Sequence, residues 1–155
     1  MILIKNATVI TQDKDRRILK GGAILVEKEI IADIGPTAEL ESKYLQSEII
    51  AGENLVALPG LINCHTHAAM NLLRGFGDDM PLMDWLTKKI WPAEAKLTPE
   101  EIFNGTKAGC EEMAASGTTS FNDMYFYPED QVKAALESRM RDFAGIIALA
   151  GGKFN

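Results

Sequence analysis

Apolar residues crowd the start of the chain, where Ile2 to Ile10 is dense in Ile, Leu and Val before the turn-like run Thr11-Gln12-Asp13-Lys14-Asp15. Such enrichment in branched side chains predicts a strand. Ala23 to Val26 and Ile30 to Ile34 are two more short apolar runs around Glu27, Lys28 and Glu29. They predict a hairpin, although its turn lacks the Asn-Gly or Asp-Gly pair that marks the tightest connections. Gly35-Pro36 ends the second run, and Thr37 is placed to cap a short helix reaching about Tyr44. Ile49-Ile50, the turn-like AGEN and Leu55 to Leu58 complete a small β-rich region.

A different rhythm begins at Pro59-Gly60. Leu61 to Cys64 is a short apolar strand candidate that runs into polar His65-Thr66-His67. A loop and a helix follow, with Trp85 and Ile90 at helical spacing before Pro92. Thr98-Pro99-Glu100-Glu101 predicts the clearest helix start, with proline at the first helical position and glutamate at the third. That helix should reach about Ser116, where Gly117 stops it. Thr118 to Met124 reads as a strand, Pro128 to Ser138 as a helix and Phe143 to Leu149 as a third strand. Strands alternating with helices are the pattern of a parallel sheet with crossover connections. The expected division is 1–57 and 58–155.

Composition narrows the class. The 155 residues are 46% hydrophobic and 25% charged, the balance of a folded domain with a sizeable core. A net charge of -6 argues against a nucleic-acid binder, which needs a basic face. Two cysteines, Cys64 and Cys110, are too few for a disulfide framework and fit a reducing compartment. The opening MILIKNATVI lacks the basic region and long apolar core of a signal peptide, and no apolar run approaches the ~20 residues that span a bilayer. The expectation is a cytoplasmic protein that engages neither membrane nor nucleic acid.

The only two histidines stand at 65 and 67. On a strand, residues two apart point to one face, so both imidazoles can converge on one cation, at ~2.0–2.1 Å for zinc. In a parallel barrel, the C-terminal ends of the strands are where active sites are built. Two histidines on an exposed loop would be the plainer reading; the apolar run before them and the alternating elements after them favour ligation. Catalytic zinc takes three protein ligands, so the pair alone is an incomplete site. Strand alternation turns Cys64 away from the histidines, and it is expected to pack, as is Cys110. Asp123 could accept a hydrogen bond at the rim, but a solvated loop position or a helix-entry cap is the favoured reading.

The run LPGLINCHTHAAMNLLRGFGDDMPLMDWL, with IWPAEAKLT after it, resembles the amidohydrolase superfamily. Within it the resemblance is to the branch of 5-methylthioadenosine/S-adenosylhomocysteine deaminases and their triazine-hydrolase relatives. It implies an α/β fold: a TIM-type (β/α)8 barrel preceded by an N-terminal β-sandwich segment, of which this chain would hold only the first strands and helices. It implies one divalent metal, zinc first, with His65 and His67 as ligands. It also implies Glu94 as acceptor for the ribose hydroxyls of a purine nucleoside, and Trp85 as an aromatic wall of the pocket. Without the resemblance, Trp85 beside Leu82 and Ile90 would be core and Glu94 a solvated charge. Arg74, Asp78 and Asp79 also match and are expected to shape the loop after the first barrel strand. The implied reaction is attack of metal-supplied hydroxide on C6 of an adenine ring with release of ammonia.

The chain departs from that pattern at its end. Asn155 falls near the third of eight barrel strands, so the remaining ligands and the acid–base residues have no counterpart here, and no catalytic residue is expected within the chain. Asp142 to Asn155 contains no arginine, where the branch often carries one for substrate. An incomplete barrel leaves an open sheet edge, which invites a second copy or a complementary C-terminal chain. The isolated chain is expected to release no ammonia. A triazine- or guanine-type hydrolase and a catalytically inactive metal-binding fragment are the alternatives.

Overall fold

The computed structural model describes residues 1–147, which form two compact units, Met1–Pro59 and the residues from Gly60 on. In the first unit, β1 (Ile2–Ile10), β2 (Ile18–Glu27), β3 (Ile30–Pro36), β4 (Glu48–Ala51) and β5 (Val56–Ala57) make one sheet. The order is β3-β2-β1-β4, with β5 also on β1; β1 is antiparallel to β2 and parallel to β4 and β5. Alternation puts apolar side chains on both faces. Leu3, Ala23 and Leu25 pack with Leu40 of α1 (Thr37–Lys43), while Ala7, Val9 and Ile24 gather Ile4, Leu19 and Ile34.

Thr37 is the first helical residue rather than the cap. Pro36 holds the cap position without a side-chain bond, and the Thr37 hydroxyl accepts from the Asn6 backbone N–H at 2.9 Å. Asn6 lies where β1 slips register and takes a φ of 61°, so its N–H turns to the threonine instead.

In the second unit, β6 (Leu61–Thr66), β7 (Thr118–Met124) and β8 (Arg141–Gly145) are parallel, in the order β6-β7-β8. The third strand begins two residues before the expected Phe143, and its expected end at Leu149 lies outside the described residues. Between β6 and β7 run a 3₁₀ turn (Ala68–Leu73), α2 (Leu82–Trp85), a π-turn (Leu86–Ile90), α3 (Trp91–Glu94) and α4 (Pro99–Ala115); α5 (Pro128–Glu137) joins β7 to β8. Pro92 does not stop the helical path, because it enters the first turn of α3, where its missing N–H leaves no bond unmade.

The start of α4 is a reciprocal cap: the Thr98 hydroxyl accepts from the Glu101 N–H, and the Glu101 carboxylate accepts from the Thr98 N–H at 2.8 Å. Its buried stripe is Ile102, Gly105, Thr106, Gly109 and Cys110, the spacing of one helical face. Phe121 of β7 lies with Ala68, Cys110, Ala135 and Met140 in the core between helices and sheet. No helix among the described residues is long and apolar enough to cross a membrane.

Gly105 and Gly109 let α4 lie directly on the segment after the histidines. A Cβ at Gly105 would come within 2.6 Å of the Ala69 carbonyl oxygen and 2.8 Å of Leu72 Cγ. Overpacking of this kind exceeds the ~1 kcal/mol helical gain of alanine over glycine. Gly105→Ala is expected to destabilise this unit by about 1–2 kcal/mol, read as a lower urea midpoint of tryptophan fluorescence; an unchanged or higher midpoint would refute the close approach.

Candidate functional site

His65 is the penultimate residue of β6, and His67 follows its end at the entry to the 3₁₀ turn. The ring centroids lie 5.1 Å apart with the planes at 73°. Two imidazoles on one tetrahedral ion at ~2.0–2.1 Å would hold their ring centres about 5 Å apart, so the spacing fits a shared cation. His67 is also oriented. Its Nδ1 lies 2.8 Å from the Met124 carbonyl oxygen, which can only accept, so Nδ1 donates and Nε2 is the nitrogen left to face a ligand. A backbone carbonyl on the far nitrogen is how proteins fix the tautomer of a ligating histidine. Among the described residues no group of three or more His, Cys, Asp or Glu gathers as a metal cage. The donors present therefore fit part of a site.

Asp123 holds the same segment from its other side. It is 1% exposed, which rules out a solvated loop position. One oxygen accepts from the Ala68 N–H at 3.0 Å and the other from the Met124 N–H at 2.7 Å. It is a cap, but one supplied across the sheet to the turn that follows His67. Burial pushes its carboxyl above the usual range, opposed by these two backbone donors. Cys64, expected to pack, is exposed. It lies on β6, an outer strand of the three, where no further strand covers it among the described residues.

Glu94 closes α3 and is half-buried. Its Oε1 accepts from the hydroxyl of Tyr125 at 2.7 Å, and the Tyr125 ring centroid lies 6.1 Å from that of His67. One phenol thus links the metal-binding candidate to the diol-binding candidate. Tyr125 is 3% exposed, and burial followed by the Glu94 carboxylate pushes its hydroxyl well above the ordinary tyrosine range, which keeps it a neutral donor. Sequence reasoning missed it. The available signal was its position, one residue past the end of β7 in the aromatic run Tyr125-Phe126-Tyr127.

Trp85 sits apart from this chain of contacts. Its indole N–H donates to the Phe76 carbonyl at 2.9 Å, and Gly77, at φ 88°, passes so close that a Cβ there would lie 3.1 Å from the Trp85 ring. With its one donor spent, Trp85 can offer a ligand only a ring face. The π-turn between Trp85 and Glu94 changes their relation. Nine residues of α-helix rotate by about 900°, which leaves opposite faces, whereas one extra residue in the turn removes about 100° of that. Arg74 bridges Glu112 of α4, both exposed, a contact worth little to stability that tethers the loop after β6.

The sequence profile described as "Amidohydrolase family" matches residues 56–154. A 5-methylthioadenosine/S-adenosylhomocysteine deaminase of Pelotomaculum thermopropionicum is 47% identical over 140 residues, which are 90% of this chain and 32% of that protein. Among solved structures, atrazine chlorohydrolase from Arthrobacter aurescens TC1, complexed with zinc, superposes with a TM-score of 0.85 at 27% identity over 94% of this chain and 35% of that one. An adenosine deaminase from Xanthomonas campestris with bound zinc gives 0.77 at 32% identity, over 91% and 32%. The chain spans about a third of the length of these relatives. With the family profile covering well over half of its residues, this mixed α/β chain belongs to the amidohydrolase family.

Proposed function

We propose that the chain is the N-terminal part of a metal-dependent hydrolase that deaminates an adenosine-like nucleoside. In this reading residues 58–155 are the first strands and helices of a TIM-type barrel, and residues 1–57 are a β-sandwich segment. One divalent metal, zinc first, is held by His65 and His67 with ligands from elsewhere. The observation that carries the proposal is the oriented pair: two imidazoles 5.1 Å apart at the end of β6, one fixed through Nδ1 by the Met124 carbonyl. Such an ion, when bound, lowers the pKa of a coordinated water toward ~7.

The chain's own side chains supply binding. The Glu94 carboxylate, one oxygen tied to Tyr125, accepts from the hydroxyls of a ribose diol, a charge-assisted contact. Trp85 gives an apolar wall. The name of the 47%-identical relative favours 5-methylthioadenosine or S-adenosylhomocysteine as substrate, and that of the Xanthomonas enzyme favours adenosine. Leu61, Ile62 and Phe143 are more than half exposed on the outer strands β6 and β8, which supports association with a complementary C-terminal chain or a second copy. A soluble, cytoplasmic setting accords with this substrate class. A triazine-type hydrolase is the second reading, favoured by the 0.85 superposition on the atrazine enzyme.

A chimera tests the proposal: these 155 residues replace the matching part of the Pelotomaculum deaminase. The zinc-loaded chimera is expected to release ammonia from 5-methylthioadenosine and to leave atrazine intact, while the 155 residues alone release none. A folded chimera that is inert toward adenine nucleosides, or that dechlorinates atrazine, would overturn the nucleoside reading.

A further inference from the structure

We infer that Tyr125 is a positioning residue for nucleoside specificity, holding the Glu94 carboxylate in the one orientation that meets a ribose diol. The inference rests on the reading of Glu94 as the diol acceptor. Glu94 hangs from the last residue of a short helix, where a glutamate side chain has several rotamers open to it. Nothing in α3 itself selects among them. The selection comes from the end of β7, where Tyr125 emerges one residue after Met124. Its hydroxyl meets Glu94 Oε1 at 2.7 Å, and its ring packs edge-on to Phe126 at 5.3 Å between centroids.

The phenol is itself fixed. Tyr125 is 3% exposed and belongs to the buried cluster of Ala69 and Ile102, joined by Met70, Leu97 and Phe126. The same backbone stretch offers the Met124 carbonyl to His67 Nδ1. Two consecutive residues of one strand end therefore orient the imidazole and the carboxylate. The end of β7 thereby ties the metal candidate to the sugar candidate, independently of the short helix that carries Glu94. A tyrosine buried in this way remains protonated and can only donate to a carboxylate. It takes one lobe of Oε1 and leaves Oε2 for a ligand hydroxyl. A freely rotating carboxylate would lose this preorganisation, and with it affinity for the diol.

The test is deamination of adenosine and of 2′,3′-dideoxyadenosine by the zinc-loaded chimera, read as KM and kcat/KM. It compares the unsubstituted chimera, Tyr125→Phe, Glu94→Gln and the double variant. Tyr125→Phe is expected to weaken adenosine about 10- to 100-fold in kcat/KM, the scale of one lost hydrogen bond to a charged group. It should leave the dideoxy compound within twofold, and the double variant should use adenosine no more poorly than Glu94→Gln alone. The unchanged dideoxy turnover also reports that the variant is folded. Equal losses for both nucleosides would mean a merely structural tyrosine and overturn the inference. A loss in Glu94→Gln with none in Tyr125→Phe would overturn it while leaving the diol reading intact. No discrimination by Glu94→Gln, or no turnover of adenosine by the unsubstituted chimera, would overturn the diol reading and the inference with it.

Discussion

Phe121→Ala is expected to unfold, or nearly unfold, the unit that carries every candidate site residue. Phe121 is wholly buried on β7, the middle strand of three, and meets helix side chains from three directions: Cys110 of α4, Ala135 of α5 and Ala68 of the turn after His67. Three of its neighbours are small, and Met140 with Met113 at the edge can fill only part of the space. Truncating a buried phenylalanine costs about 3–5 kcal/mol, a large share of the ~5–15 kcal/mol of a typical domain. Both tryptophans, Trp85 and Trp91, lie in the second unit, so their fluorescence reports that unit alone. The expected result is a urea transition at far lower midpoint, with Phe121→Leu falling between. A midpoint within experimental error of wild type would show that the core is centred elsewhere.

Most of the fold was legible because local signals and burial agree. Thr98 to Glu101 announced the start of α4, and Gly117, at φ 87°, its end. The apolar runs Ala23 to Val26 and Ile30 to Ile34 pair antiparallel within β2 and β3, the hairpin expected of them. The failures share a physical cause: partners distant in sequence. Thr37 looked like a cap, but a bulged N–H thirty-one residues away claimed its hydroxyl. Asp123 could not be resolved between a solvated position and a cap, because the backbone groups it satisfies include Ala68, fifty-five residues earlier. The π-turn at Leu86–Ile90 has no pattern of its own in a run of ordinary helix formers.

The candidate site was legible to a similar depth. His65 and His67 could be placed from strand geometry alone, because spacing of two and an apolar run before them carry the information. Glu94 and Trp85 could not; only the resemblance singled them out. Tyr125 escaped both, since a tyrosine among aromatics at a strand end reads as core. It is core, and its hydroxyl is the one polar atom through which that core reaches Glu94. A buried donor aimed at a half-exposed carboxylate is a tertiary feature, invisible until strand and helix are brought together.

His67→Ala is expected to remove specific zinc binding by the chain. His67 differs from His65 in being half-buried and pinned, with Nδ1 donating to the Met124 carbonyl at 2.8 Å and the next residue's N–H held by Asp123 at 3.0 Å. The imidazole therefore meets an ion with less ordering to do than a free side chain. Loss of only an outer hydrogen bond to a ligating histidine typically lowers metal affinity 10–100-fold, and loss of the ligand itself must exceed that. Competition against a chromophoric chelator would measure it. His67→Ala should weaken zinc by more than 100-fold and His65→Ala by at least ~10-fold, since its exposed ring is less preorganised. Cys64→Ala serves as the control: its thiol is exposed on the same strand and is the obvious adventitious ligand, and affinity should stay within twofold. Zinc held equally well by His67→Ala, or lost in Cys64→Ala, would place the ion elsewhere and leave the hydrogen bond to Met124 as simple packing of a strand end.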